Sequence, residues 1–298
     1  GNRALAGFTA PKLLWLREEE PRTYADIRSI LLPKDYVRLH LCGAHAIDVA
    51  DASGTLLFDV AHRRWSEELL EELQIDPGWL PTVYESPERV CTTYGGVVVA
   101  AGAGDQAAGA LGVGVIDEGG PASVVLGTSG VVFAALNSFR ADPQARVHAF
   151  AHAVPDRWHV MGVMLSAAGS MSWLRDSAFG GGVPFETLFE EAAAWEPGAE
   201  GLRFAPYLAG ERTPHADPDA RGAFVGLSLR HNRGALVRAV LEGVAFGLRD
   251  SLDLVAEREI GVQRLGVQVV GTRRLFRQRG CRVVETRLGG GHAGAATE

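Results

Sequence analysis

Two glycine-rich segments constrain this chain more than anything else in it: Ala101-Gly-Ala-Gly-Asp105-Gln106-Ala-Ala-Gly-Ala-Leu-Gly-Val-Gly114, then Leu126-Gly-Thr-Ser-Gly130. In the first, glycines at 102, 104 and 109 let the backbone bend and let a ligand approach closely, while Ala107, Ala108 and Ala110 suit a helix packed tightly against its neighbours. In the second, Ser123 to Leu126 and Val131 to Ala135 are β-branched arms around a tight glycine turn, which predicts a β-hairpin, and Trp158 to Leu165 supplies a third strand. A turn of this kind offers backbone N–H groups and hydroxyls to a phosphate.

Together the segments carry the equipment of phosphoryl transfer. Moving a phosphoryl group to an alcohol requires a carboxylate within hydrogen-bond reach of that alcohol, to orient it and accept its proton. Asp105 is the candidate. A second reading makes Asp105 the N-cap of a helix starting at Gln106, since Asp is a favoured cap, and the two readings are compatible. An ordinary glycine hairpin is the plain reading of Gly-Thr-Ser-Gly; its place just after Asp105 favours the phosphate reading.

The remaining pattern is that of an α/β enzyme. A chain of 298 residues with 47% hydrophobic content can bury a sizeable core, and its length suggests roughly two domains. The net charge of −7 argues against a nucleic-acid partner, and no apolar run approaches the roughly 20 residues of a membrane span. Cys42, Cys91 and Cys281 are far apart without metal spacing, which predicts reduced thiols in a cytoplasmic protein. Helices are expected at Leu13 to Glu20, Pro21 to Leu31, Trp65 to Leu73, Ala167 to Phe179, Phe185 to Trp195 and Arg233 to Arg258. Tyr94 to Ala101 reads as a buried strand delivering Asp105 at its carboxyl end. The stretch Ile116 to Pro121 is the expected domain junction. His148 and His152 alternate with apolar residues as on a strand, about 13 Å apart, too far to share an ion easily. Glu211, Arg212 and His215 form a polar cluster in a proline-bounded loop, read as an internal salt-bridge network before a substrate contact.

The segments GAGDQAAGALGVGVIDEG and SVVLGTSGVVFAA resemble the carbohydrate kinases of the FGGY family. So do GFTAPKLLWLREE near the start, LPKDY at 32–36, DVADASGTLLFD at 48–59, APYLAGERTPH at 205–215 and RGAFVGL at 221–227, the last running into Leu236 to Asp250. The resemblance implies an actin-like/ribonuclease H-like ATPase fold of class α/β. It implies a partial N-terminal, sugar-binding domain over 1–115 and a C-terminal FGGY, nucleotide-binding domain over 116–298, altered after about 262. It further implies ATP and Mg²⁺, with Asp105 as base, Gln106 on substrate hydroxyls, and Gly127, Thr128, Ser129, Gly169 and Gly271 on ATP phosphate or nucleotide. The implied reaction is phosphorylation of a ketopentose, D-xylulose first; glycerol, gluconate or another ketose, and a catalytically incomplete fragment, are the alternatives. The partners are then the sugar and ATP, without nucleic acid or membrane, and a homodimer is the assembly to test.

The chain departs from the family pattern in three places. The family usually has a polar residue where Ala235 stands, which predicts an intact helix that has lost a surface or cap contact. The family's Asp-x-Gly-Thr strand-turn has no counterpart here. The segment Val269-Val-Gly271-Thr-Arg-Arg-Leu-Phe-Arg-Gln278 replaces a glycine-rich adenosine turn. From these departures the 298-residue chain alone is expected to show no measurable kinase activity and to associate through exposed apolar surface.

Overall fold

The computed structural model describes residues 2–257 and, as backbone only, the strands Arg264–Val269 and Val284–Arg287. The chain divides into two compact units: Gly1–Glu118 with Ala135–Val160, and Gly119–Ala134 with Met161–Glu298. Two of the three crossings between units fall inside strands, Gly130–Leu136 and Trp158–Met164.

In the first unit, helices Thr9–Glu19 and Pro21–Ala25 precede helix Pro33–Cys42. The second helix stops six residues short of the expected Leu31. Its continuation would run into Pro33, and the residue before a proline is pushed out of the helical region: Leu32 sits at φ −81°, ψ 162°. Gly43 ends the third helix in the left-handed conformation, at φ 73°, with its amide on the Leu39 carbonyl. Strand Ala46–Asp48 then pairs in parallel with Thr82–Tyr84 and leads into the short helix Val49–Ser53. Asp48 caps that helix, its Oδ1 accepting from the amides of Ala50 and Asp51. The expected helix from Trp65 starts later, at Glu67, because Trp65 pairs with Phe58 in a short hairpin and Ser66 is the cap. Apolar side chains from these elements fill two clusters, one around Ile47, Val49, Ala52 and Phe58 and one around Leu13, Leu57, Leu70 and Ile75.

Two expectations fail in this unit. Tyr94 to Ala101 is not a buried strand. Only Val98–Ala100 is extended, in an antiparallel hairpin with Arg89–Thr92, and Tyr94, Val97 and Val98 are exposed. A β-branched run sets the extended conformation but not the partner, and here the turn before Val97 folds it onto the preceding residues. Cys42 and Cys91, expected as free thiols, are joined in a disulfide with their Cα atoms 6.3 Å apart. Sequence spacing carries no information on that approach. Cys281 lies outside the described residues.

One six-stranded sheet runs in the order Val284–Arg287, Arg264–Val269, Pro121–Leu126, Gly130–Leu136, Trp158–Met164, His148–Ala151. The expected hairpin is present, with Leu126 opposite Gly130, and Arg264–Val269 lies parallel to its first strand. Helix Ala168–Trp173 continues into a π-helical turn, Leu174–Ala178, where a single helix to Phe179 was expected. Helix Phe185–Ala193 packs against the long helix Arg233–Ala256 around Leu188, Leu202, Phe204 and Val240. Ala235, expected at a surface or cap position, is fully buried, and its amide is the group that Asn232 Oδ1 caps at 3.2 Å. A polar side chain there would have to be desolvated.

The first unit also buries three histidines, His148, His152 and His159. His152 bridges backbone groups: Nε2 donates to the Val115 carbonyl at 2.9 Å and Nδ1 accepts from the Val154 amide at 3.0 Å. Among the described residues no three His, Cys, Asp or Glu side chains gather to hold a metal. Burial, joined by the charge of Arg63, lowers the pKa of His152, while the Val115 carbonyl and Asp117 pull the other way. Burial, then His152 and His148, push His159 well below the ordinary histidine range. The folded state therefore refuses protons that the unfolded chain accepts below its histidine pKa of about 6.5, so stability is full above that value and falls as pH drops toward the depressed native values. Denaturant midpoints measured from pH 7.5 to pH 5.5 are expected to decline, and His159→Phe is expected to flatten the decline. A midpoint independent of pH over this window would contradict the assignment.

Candidate functional site

The first unit presents Asp105 from a turn whose first two residues are anchored by backbone bonds. Backbone bonds run from the Ala101 amide to the Glu88 carbonyl at 2.9 Å and from the Gly102 amide to the Ser86 carbonyl at 3.0 Å. Gly102 takes a left-handed conformation at φ 80°, which a side chain would resist. Gly104, not Asp105, is the N-cap of helix Asp105–Gly112, so the capping reading of Asp105 is replaced: it is the first helical residue and makes no cap bond. Its carboxylate is exposed and without a hydrogen-bond or ion-pair partner among the described residues. Gln106 is half-buried beside it, and its Oε1 is buried with no partner. An unpaired carboxylate and an unsatisfied amide oxygen are thus adjacent on the first turn of one helix.

Beneath this turn lies a knot of charge that the sequence reading did not single out. Lys34 Nζ reaches Asp48 Oδ2 at 2.5 Å, Asp35 Oδ1 at 2.7 Å and Asp51 Oδ2 at 3.0 Å. Arg38 shares Asp35, with Nη2 2.6 Å from Oδ1, and its Nη1 donates to the Ala101 carbonyl at 2.6 Å. Asp35 and Asp48 are completely buried. Burial opposes the charge on Lys34, but Asp48 and Asp51 outweigh it and raise the Lys34 pKa. For Asp48 burial wins, with Asp51 adding to it, and its pKa rises despite the pull of Lys34. Lys34 and Asp35 stand in the LPKDY segment and Asp48 and Asp51 in DVADASGTLLFD, with Arg38 just beyond the first. Charged residues inside otherwise apolar segments were the available signal.

The second unit gathers Gly127, Thr128, Ser129 and Gly169. The Thr128 carbonyl accepts from the amides of Ala167 at 2.8 Å and Gly169 at 3.1 Å, and the Gly127 carbonyl accepts from Ala168 at 3.0 Å. The hairpin turn is thereby stitched by its carbonyls to the start of helix Ala168–Trp173. Thr128 is exposed, and the amides and hydroxyls of Thr128 and Ser129 have no protein partner among the described residues. Such free donors beside a helix N-terminus suit a phosphate. Gly271 lies outside the described residues.

The polar cluster of the 205–215 segment is not a salt-bridge network. Glu211 is buried and its Oε1 accepts from the backbone amides of Leu165 at 2.9 Å and Arg212 at 2.7 Å. Burial raises its pKa against those two bonds and the charge of Arg212. His215 instead meets the Tyr207 hydroxyl at 2.9 Å. The cluster ties a loop to the end of strand Trp158–Met164.

Residues 1–112 match the N-terminal domain, and residues 122–270 the C-terminal domain, of the FGGY family of carbohydrate kinases. The chain belongs to this family. Among curated FGGY relatives, the xylulose kinase of Escherichia coli (strain K12) is 44% identical over 280 residues, 91% of this chain and 57% of that protein. Among solved structures, a xyloylose kinase from Brucella ovis superposes with a TM-score of 0.81 at 43% identity, covering 91% of this chain and 56% of the other. A gluconate kinase from Lactobacillus acidophilus superposes with a TM-score of 0.80 at 26% identity, covering 89% and 55%. The fold is the actin-like/ribonuclease H-like ATPase fold of the FGGY kinases, and the chain spans little more than half the length of these relatives.

Close packing at Gly169 makes the second unit's site testable. A Cβ there would sit 2.9 Å from the Thr128 carbonyl oxygen, a backbone atom that cannot swing aside. Gly169→Ala is expected to cost about 1–3 kcal/mol in denaturant unfolding, the usual range for overpacking. A variant as stable as the parent would show that the turn and the helix start are not in contact.

Proposed function

We propose that the chain is the greater part of an ATP-dependent ketopentose kinase whose preferred acceptor is D-xylulose. The observation that carries this reading is the unpartnered Asp105 carboxylate beside the unsatisfied Gln106 oxygen on one helical turn, in a chain of the FGGY family. Asp105 orients the acceptor hydroxyl and takes its proton as the bond to phosphorus forms. Gln106 accepts from a neighbouring sugar hydroxyl, which would satisfy its buried oxygen. Thr128 and Ser129 receive phosphate oxygens on free amides and hydroxyls, while Gly127 and Gly169, whose own amides are bonded to the Ser129 and Thr128 carbonyls, contribute by lacking side chains. Mg²⁺, held chiefly by the ATP phosphates as is usual for this ion, would neutralise charge there; no protein ligand is assigned to it. The identities of 44% and 43% to the xylulose kinases of Escherichia coli and Brucella ovis support the ketopentose. A cytoplasmic location belongs to the same reading.

The test is a coupled assay over ketoses, polyols and gluconate, run on the 298-residue chain and on the chain extended at its N-terminal side by the corresponding segment of the E. coli xylulose kinase. D-xylulose is expected to give the highest kcat/KM in the extended protein; preference for glycerol or gluconate would overturn the substrate. Asp105→Ala in that protein is expected to lower kcat roughly 10²–10⁴-fold with nucleotide affinity retained. Near-normal turnover would remove Asp105 from the role of base.

A further inference from the structure

Asp51 occupies a position that neither packing nor helix capping accounts for. Asp48, three residues earlier, is fully buried and caps helix Val49–Ser53, and Asp35 is fully buried against Arg38 and Lys34. Asp51 is 22% exposed and reaches two places: Oδ2 meets Lys34 Nζ, and Oδ1 lies against Gly104, so that a Cβ on Gly104 would run into it. Gly104 is the residue immediately before Asp105 and the N-cap of its helix. On the other side of the same turn, Arg38 holds the Ala101 carbonyl, and the Lys34 stem lies in ordinary contact distance of the space beside Gly102. The turn from Ala101 to Gly104 is therefore gripped by one cation, Arg38, and braced by one carboxylate, Asp51, which a second cation, Lys34, holds in place.

We propose that Asp51 is a positioning residue for Asp105, acting with Lys34 and Arg38 through the backbone of the Ala101–Gly104 turn. The proposal rests on Asp105 being the base. Lys34 neutralises Asp51 and ties it to the buried Asp35 and Asp48, so the brace inherits the rigidity of the core. Glycine at 104 is required because a Cβ there would run into Asp51 Oδ1. A displacement of about 1 Å in a catalytic group can cost on the order of 10²-fold in rate, so the brace acts on kcat while leaving the nucleotide site untouched.

Two readouts test it. In the 298-residue chain, hydrogen exchange of peptides covering 101–106 is compared among the parent, Asp51→Ala and Asp51→Asn. In the N-terminally extended protein the same variants are assayed for kcat, KM for ATP and thermal midpoint. Asp51→Ala is expected to speed exchange in 101–106 at least about tenfold without changing peptides around Ile47, and to lower kcat by roughly 10–100-fold at unchanged KM for ATP. Asp51→Asn, which keeps the contact with Gly104 and an acceptor for Lys34, is expected to restore most of both. Unchanged exchange, an unchanged kcat, or an Asn variant as defective as Ala would overturn the proposal. Failure of the unsubstituted extended protein to phosphorylate any acceptor would instead overturn the proposed function, and the exchange comparison would still decide whether Asp51 braces the turn.

Discussion

Lys34, with its ammonium among three carboxylates of which two are fully buried, is the interaction on which the first unit's site depends. Buried ion clusters are poor sources of net stability, because desolvating each charge cancels much of the attraction, yet removing one member strands the others at a cost of about 3–5 kcal/mol. What the cluster supplies is definition. Asp48 caps one helix, Arg38 ties a second helix to the Ala101 carbonyl, and Asp51 meets Gly104. One lysine thus links the helix Pro33–Cys42, the helix Val49–Ser53 and the turn before Asp105. Asp105 stays exposed and unpaired because its neighbours bond one another.

The second unit solves the complementary problem with backbone. Its hairpin turn uses carbonyls to fasten itself to the start of helix Ala168–Trp173, which leaves the amides and hydroxyls of Thr128 and Ser129 free. Gly169 permits that approach because any side chain would strike the Thr128 carbonyl. Free donors on a fixed frame bind an anion without first rearranging, which is how such turns contribute to charge stabilisation.

Much of this was legible in the sequence where the signal is local. The hairpin at Leu126 to Gly130 follows from glycines between β-branched arms, and the long helix from Arg233 from its apolar period. Asp105 was legible as a candidate because glycines bracket it. What was not legible depends on partners distant in the chain. Val98–Ala100 pairs with Arg89–Thr92 rather than entering a buried sheet, Cys91 meets Cys42, and Ala235 is buried by the packing of its helix. Nothing in the sequence singles out Lys34, Asp48 and Asp51 together, and only the fold brings them to one point. Glu211 and Arg212 looked like an ion pair by adjacency, whereas burial gives the carboxylate backbone amides as partners.

In the proposed reaction the turn braced by Asp51 presents Asp105 and Gln106 to a ketose. The most direct measurement is a crystal structure of the N-terminally extended protein with D-xylulose bound. One sugar hydroxyl is expected within about 2.6–3.2 Å of the Asp105 carboxylate and another donating to Gln106 Oε1, with Asp51 still against Gly104. A sugar bound away from Asp105, or bound to it with the Ala101–Gly104 turn rebuilt and Asp51 withdrawn, would contradict it.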